Sequence, residues 1–263
     1  MTQVGDVGSQ PRIEGGIAAA LLEEPQLVYL PLWREAFSWI ESVRLKASPV
    51  YYGWGVPHGN GEPVIVVPGL LACDIYLIEM RLWLCRIGYR AERSRIGVNA
   101  ECPDILAQRL VRTIDRACEK TGKKAHLIGH SLGGVISRGV AAMVPEKVAS
   151  VITLGSPFRG VRINPFVNQA LTFVRNRMSK RHDCPHDDCF STACSCKFPM
   201  AAQTKFPSRI RQTAIYCKRD GVVDWETCLT GNDKLDFEVE GTHVGLVWNA
   251  ATYRIIAERL AGN

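Results

Sequence analysis

The amino-acid sequence predicts an α/β fold, in which a mainly parallel sheet carries helices on both faces and one segment is inserted. Short runs rich in β-branched residues, at positions 64–67 and 148–154, have the composition of strands that are buried on both sides. Between such runs lie stretches with apolar residues at helical spacing, the clearest at 103–121. With 263 residues, of which 46% are hydrophobic, the chain is long enough for one sizeable core.

The N-terminal region, residues 1–61, is predicted to be a tail followed by a helical segment that packs on the main domain at 62–263. Residues 1–16 are rich in Gly, Ser and Gln and have little to bury. The stretch 21–46 has helical spacing and contains Trp33 and Trp39. We expect these aromatic side chains to pack on the body of the domain, and an amphipathic contact with a lipid surface is the alternative.

The main domain is predicted to alternate strands and helices. Strands are expected at residues 64–67, 125–128, 148–154, 213–217 and 237–240, and helices at 75–87, 103–121, 131–143 and 245–260. Gly88 and Gly122 stand where helix C-caps are expected. The stretch 160–208 interrupts this alternation. Its first half keeps helical spacing and its second half has the composition of a loop, so we expect an insertion there.

Composition and motifs argue against several classes of function. The formal net charge is +6, but the basic residues are scattered and no aromatic-basic motif accompanies them, so we expect no nucleic-acid partner. No dinucleotide-binding or phosphate-binding loop is recognisable, so we expect no organic cofactor. A secretory leader and a membrane-spanning run are not recognisable either, and we expect a cytoplasmic protein, although ten cysteines count against this expectation.

The pentapeptide Gly129-His130-Ser131-Leu132-Gly133 lies between a predicted buried strand and a predicted helix. A Gly-x-Ser-x-Gly sequence in this position is typical of a nucleophile elbow, a sharp turn that exposes the serine hydroxyl above the sheet. The helix N-terminus at this place favours a developing negative charge. We expect His130 to support the elbow. A glycine-rich turn whose serine only caps the helix is the alternative.

These residues resemble the α/β-hydrolase superfamily, and more narrowly the small bacterial lipases and esterases. The pentapeptide followed by Gly134 matches the lipase elbow residue by residue. Residues 66–70 are similar to the family's oxyanion loop, with Pro68 where many relatives have histidine, and residues 153–160 resemble a segment that follows the next strand. The resemblance extends from residue 63 to the C-terminus outside 160–208. It implies the α/β-hydrolase fold, with the insertion as a cap or lid; a helix packed permanently on the body is the alternative for its first half.

The same resemblance implies a catalytic triad in the chain order serine, acid, histidine. Ser131 is the expected nucleophile, and His243, which follows the last predicted strand between two glycines, is the expected base. Asp220 is the expected acid because it directly follows the strand at 213–217. Asp224 is the alternative acid, and Asp233 is expected to serve a turn.

The oxyanion hole is expected to consist of the backbone N–H groups of Leu70 and Leu132. The predicted activity is the hydrolysis of carboxylic esters through an acyl-enzyme, with an acyl ester or lipid as substrate. No metal at this site and no obligate protein partner are expected, and peripheral contact with a lipid surface remains open. A thioesterase, amidase or acyltransferase on the same triad is the first alternative, and a non-catalytic binding protein of this fold is the second.

The insertion carries a cluster of thiol and imidazole groups. Tetrahedral zinc ligation and disulfide formation are both compatible with it, and either would hold together a segment with little core of its own. The cysteines concerned are Cys184, Cys189, Cys194 and Cys196, with His182 and His186 beside them. A disulfide between Cys217 and Cys228, which flank the expected acid, is a further alternative.

Overall fold

The computed structural model describes residues 25–179, 196–202 and 204–262. The strands in chain order are β1 (Gln26–Leu27), β2 (Pro63–Val67), β3 (Arg90–Arg93), β4 (Ala125–His130), β5 (Val148–Leu154), β6 (Arg162–Ile163), β7 (Arg211–Tyr216) and β8 (Asp236–Glu238). The α-helices are α1 (Ser38–Ala47), α2 (Ile78–Arg86), α3 (Pro103–Thr121), α4 (Leu132–Met143), α5 (Pro165–Ser179), α6 (Lys197–Ala202) and α7 (Ala250–Ala261).

Six of these strands form one sheet in the order β3-β2-β4-β5-β7-β8. Every neighbouring pair in it is parallel. The predicted α/β class is therefore confirmed. The edge strand β3 is not predicted from the sequence, because it reads Arg-Ala-Glu-Arg and has no apolar run. β1 and β6 form a separate two-stranded parallel sheet that joins the N-terminal segment to the start of the insertion.

The core lies on both faces of the large sheet, as alternation along the central strands requires. Along β2, Ile65 and Val67 belong to a cluster with α3 and α4, which includes Leu110. The neighbouring residues Val64 and Val66 point to the opposite face and pack with α2 and α7. This second layer contains Trp83 and Tyr253, whose ring centroids are 4.4 Å apart.

The predicted helix at 245–260 is interrupted, which corrects the sequence analysis. A 3-10 turn covers Gly245–Trp248, and α7 begins only at Ala250. Asn249 between them has an extended backbone, and its side chain accepts hydrogen bonds from the N–H groups of Ala251 and Thr252. An N-cap of this kind starts a new helix, and it leaves the preceding turn free to follow the loop that carries His243.

The N-terminal segment contains a 3-10 helix, Leu32–Phe37, followed directly by α1. Its helical character is confirmed, but the prediction that its tryptophans pack on the domain is wrong. Trp33 is 66% exposed and Trp39 is 62% exposed. The segment is held by Leu45, which is fully buried, and by β1 rather than by its aromatic rings. A domain boundary near residue 61 stays a prediction.

In the described ranges, no helix is both long enough and apolar enough to span a bilayer. The same ranges contain no group of three or more His, Cys, Asp or Glu side chains placed to hold a metal ion. Cys217 and Cys228 are buried thiols that are not joined in a disulfide. The suggested zinc or disulfide cluster lies mostly outside the described residues: Cys196 is within them, whereas Cys184, Cys189, Cys194, His182 and His186 are not.

Candidate active site

Ser131 occupies a sharp turn between β4 and α4. Its backbone has φ +52° and ψ −126°, a conformation that is strained for a residue with a side chain. The turn is possible because its neighbours are small: a Cβ atom on Gly133 would overlap the carbonyl oxygen of Val67, and one on Gly129 would overlap Gly134. The predicted elbow is therefore present, and the serine does not act as a side-chain cap of α4.

The elbow is attached to both neighbouring strands. The Ser131 N–H donates to the carbonyl oxygen of Leu154 at the end of β5, at 2.8 Å. A Cβ atom built on Gly69, in the loop after β2, would lie 3.1 Å from Ser131 Cβ and 3.2 Å from His130 Nδ1. This close approach brings the proposed oxyanion loop against Ser131, which is the condition for a backbone N–H to reach a bound carbonyl oxygen.

His243 and Asp220 form a buried pair. Their Nδ1 and Oδ2 atoms are 2.6 Å apart, and the side chains are 4% and 2% exposed. Burial acts to lower the pKa of His243, but the Asp220 carboxylate outweighs it, with a smaller contribution from Glu35, and the pKa is raised above its ordinary value. Such a pair keeps the proton on Nδ1 and leaves Nε2 free to accept one.

The two candidate acids have different partners. Besides His243, Asp220 binds the N–H groups of Val222 and Val223, both at 2.8 Å from its Oδ1 atom. Asp224 instead pairs with Arg162 at 2.8 Å and caps the 3-10 helix Trp225–Cys228. The structure thus brings Asp220 to His243 and directs Asp224 to an ion pair.

His130 contacts the loop that carries His243, and its expected role in supporting the elbow stays a prediction. It is buried, and its Nε2 atom lies 3.0 Å from the carbonyl oxygen of His243, to which it donates. Burial, and next the charge of a protonated His243, lower the pKa of His130 to about 3, so it is neutral near pH 7. Tyr76 donates to the carbonyl oxygen of Val244 at 3.3 Å and contacts the His130 ring.

Leu70 and Leu132 lie beside Ser131, where the sequence analysis places the oxyanion hole. Leu132 is the first residue of α4, and both leucines line the same cavity as the serine. The next N–H group of the loop, that of Leu71, is taken by the carbonyl oxygen of Asn99 at 2.9 Å. The Asn99 side chain in turn donates to the Pro68 carbonyl oxygen at 2.8 Å, which fixes the loop. The role of the two leucine N–H groups stays a prediction.

An apolar cavity of about 60 Å³ opens next to Ser131. The first half of the insertion, helix α5, forms one wall of it through Val167 and Leu171. Among the described residues that line it, Arg175 of the same helix carries a charge. The other lining residues are Leu70, Ser131, Leu132, Val135, Pro157, Val161, Ile163 and Val223. Helix α5 thus lies over the cavity beside Ser131, and its role as a cap stays a prediction.

Sequence reasoning missed two glutamates of the N-terminal segment. Glu35 accepts hydrogen bonds from the backbone of the loops that carry Asp220 and His243. Glu41 accepts from the N–H and hydroxyl groups of Thr242, at 2.8 and 3.1 Å. Both lie about 200 positions before their partners in the chain, and no local pattern marks them.

Comparison with known proteins is consistent with this geometry. A family model described as palmitoyl protein thioesterase matches residues 63–216. The chain is 33% identical over 139 residues to a triacylglycerol lipase of Burkholderia plantarii, covering 48% of this chain and 38% of that protein. It is 33% identical over 121 residues to a triacylglycerol lipase of Pseudarthrobacter phenanthrenivorans, covering 41% and 37% respectively. The chain thus matches under two fifths of the length of these two relatives.

Solved structures agree on the fold. A lipase of Bacillus licheniformis in its mature form aligns with a TM-score of 0.53 at 16% identity, covering 78% of this chain and 94% of that one. A putative lipase of Acinetobacter baumannii aligns with a TM-score of 0.50 at 14% identity, covering 84% and 94%. At such identities the likeness concerns the fold, and it confirms the predicted α/β-hydrolase architecture.

Proposed function

Because the chain belongs to the palmitoyl protein thioesterase family, we propose that it is a serine hydrolase that cleaves carboxylic esters through an acyl-enzyme. The observation that carries this proposal is the buried His243–Asp220 pair, with 2.6 Å between Nδ1 and Oδ2. The strained elbow that holds Ser131 supports it, because the ring of the adjacent His130 lies 4.8 Å from the His243 ring, centroid to centroid. A hydroxyl needs such a base, oriented by a carboxylate, to act as a nucleophile near neutral pH.

In the proposed reaction, Ser131 Oγ attacks the ester carbonyl while His243 Nε2 takes its proton. Asp220 holds the Nδ1 proton and stabilises the imidazolium. The Leu70 and Leu132 N–H groups bind the oxyanion. His243 then returns the proton to the leaving alcohol as the ester C–O bond breaks. A water molecule, deprotonated by the same histidine, attacks the acyl-enzyme and releases the carboxylic acid and free Ser131.

The proposed substrate class is an acyl ester with an apolar acyl chain. The apolar lining of the cavity beside Ser131 supports an acyl chain there, and the relatives from Burkholderia plantarii and Pseudarthrobacter phenanthrenivorans are triacylglycerol lipases. Thioester hydrolysis is the second candidate, because the matching family is described as palmitoyl protein thioesterase. The triad is the same for both, and only the leaving group differs.

We also propose peripheral contact with a lipid surface through the N-terminal segment. Trp33, Phe37 and Trp39 are 66%, 49% and 62% exposed, and aromatic rings in this state favour a membrane interface. Arg34 and Arg44 lie in the same segment, and the chain carries a net charge of +6, which complements anionic lipids. A cytoplasmic location remains a proposal, supported by the buried unpaired thiols Cys217 and Cys228.

The deciding experiment compares wild type with Ser131→Ala on p-nitrophenyl esters from two to sixteen carbons, and on oxygen esters and thioesters of one acyl chain. Loss of a triad serine is expected to reduce kcat by several orders of magnitude. The wild-type preference between the matched oxygen ester and thioester separates the two candidates. Equal turnover by wild type and variant would refute Ser131 as nucleophile, and absence of turnover by both would favour a non-catalytic binding protein.

A further inference from the structure

One carboxylate outside the sheet joins the two loops that carry the acid and the base. We define the acid loop as residues 217–224 and the base loop as residues 241–245. Glu35 Oε1 accepts from the N–H of Gly221 in the acid loop and from the N–H of His243 in the base loop, both at 3.0 Å. Its Oε2 accepts from the N–H of Val244 at 2.8 Å. Gly221 directly follows Asp220, so Glu35 contacts the backbone at both members of the buried pair.

The N-terminal segment is attached firmly enough to fix Glu35. On one side, the Val28 N–H donates to the Ile163 carbonyl oxygen at 2.9 Å, and the Asn164 amide donates to the Leu30 carbonyl oxygen at 2.9 Å. On the other side, the segment packs directly on the acid loop. A Cβ atom at Gly221 would lie 2.8 Å from the Pro31 carbonyl oxygen. Only glycine allows this approach, so the segment and the acid loop fit one another.

The chemistry of the contact requires a carboxylate. An ionised carboxylate only accepts hydrogen bonds, so both of its oxygens can receive the three N–H groups that converge here. A glutamine keeps only one accepting oxygen. Its NH₂ group would therefore face either the N–H of Val244 or the N–H groups of Gly221 and His243. At least one donor would then lose its partner in a partly buried place.

The charge of Glu35 also acts on the base. The groups that face His243 are Asp220 from the acid loop, Glu35 from the N-terminal segment and His130 from the elbow. Burial lowers the pKa of His243, while Asp220 and then Glu35 raise it. His130 is neutral at the pH of the reaction, because its pKa is lowered to about 3. Glu35 is therefore a second negative charge that stabilises the imidazolium, after Asp220.

From these contacts we propose that Glu35 is a positioning residue, which holds the acid loop and the base loop at the separation that the Asp220–His243 pair requires. The segment before the sheet then completes the active site instead of only covering it. This inference rests on the proposed function for its catalytic consequence. The loop geometry itself is independent of any substrate. A displacement of about 1 Å at a catalytic group costs on the order of 100-fold in rate, so a missing link between the loops has a measurable effect.

The test compares wild type, Glu35→Gln and Glu226→Gln on the best p-nitrophenyl ester, with full pH profiles. Glu226 is the matched control, because it is a carboxylate next to the acid loop that pairs with Arg162 at the surface. For Glu35→Gln we expect kcat to fall about 10-fold to 100-fold, KM to change by less than about three-fold, and the acidic limb of kcat/KM to move to lower pH. Glu226→Gln is expected to match wild type in all three.

A folded Glu35→Gln variant with wild-type kcat and an unmoved acidic limb would overturn the proposal. If this variant does not fold by circular dichroism, Glu35→Asp replaces it, since the shorter carboxylate keeps the charge but does not reach both loops. For Glu35→Asp we expect a reduced kcat and a smaller shift of the acidic limb of kcat/KM than for Glu35→Gln. A Glu35→Asp variant with the kcat of wild type would again overturn the proposal.

Two measurements, one on wild type and one that compares wild type with Glu35→Gln, need no turnover and separate this proposal from the proposed function. Amide hydrogen exchange is expected to protect the N–H groups of Gly221, His243 and Val244 to a similar degree, and rapid exchange of any of them would refute the link. NMR titration of the His243 ring is expected to give a lower pKa in the Glu35 variant. If wild type hydrolyses no ester, these two results still decide on Glu35.

Discussion

Replacing Asp220 by Asn tests the assignment of the acid most directly. In the wild type, Asp220 Oδ1 accepts from the N–H groups of Val222 and Val223 at 2.8 Å, while Oδ2 faces His243 Nδ1 at 2.6 Å. In the variant, the amide oxygen takes the first position because only an acceptor suits two N–H donors. The NH₂ group must then face Nδ1, which turns it into an acceptor and leaves the histidine proton on Nε2.

A histidine in that tautomer does not accept the proton of Ser131. We therefore expect kcat for Asp220→Asn to fall about 10⁴-fold, which corresponds to about 5 kcal/mol of transition-state stabilisation. The two backbone hydrogen bonds remain, so the fold is expected to be kept. The assay is steady-state turnover of a p-nitrophenyl ester, with thermal unfolding of the same samples as a check on folding.

Asp224→Asn is the matched control for this prediction. Its Oδ1 atom can still accept from the Glu226 N–H, and the variant loses only the ion pair with Arg162, whose side chain is 39% exposed. Pairs of this kind contribute about 0–1 kcal/mol, so stability is expected to fall by no more than that, with kcat within about three-fold of wild type. A large loss of kcat in Asp224→Asn with normal turnover in Asp220→Asn would refute the reasoning.

Two further predictions concern pH and lipid. The pKa of His243 is raised above its ordinary value of 6.5, and His243 must be neutral to act as the base. We therefore expect kcat/KM to fall to half its plateau at a pH above 6.5 on the acidic side. A midpoint below pH 6.5 would contradict the raised pKa. Replacing the exposed Trp33 and Trp39 together by Ala is expected to weaken binding to phosphatidylglycerol vesicles about 10-fold or more. Wild type and variant are both expected to bind little to phosphatidylcholine vesicles. If both co-sediment equally with the anionic vesicles, this segment is not the lipid contact.

Local patterns predicted most of the fold, and they also indicate the candidate residues Ser131, Asp220 and His243, of which the structure brings Asp220 and His243 into contact. The strand before Ser131, the glycines around it and the helix after it are consecutive in the chain, so a short motif in its strand-helix context identifies the elbow. The place of His243 directly after the last predicted strand likewise indicates it as the base. The choice between Asp220 and Asp224 was harder, because the two lie four positions apart and differ only in the direction that the loop gives to each side chain.

The sequence by itself determined the α/β alternation, and it predicted Ser131 and His243 as nucleophile and base and an insertion at 160–208, because each depends on neighbouring residues or on burial with a regular period. Only the tertiary structure decided which aspartate meets His243, that Trp33 and Trp39 are exposed, and that Glu35 joins the two loops. The physical reason is that these outcomes depend on backbone N–H groups and packing surfaces brought together from far apart. Glu35 and His243 are separated by 208 positions, and no pattern in either segment indicates that they meet.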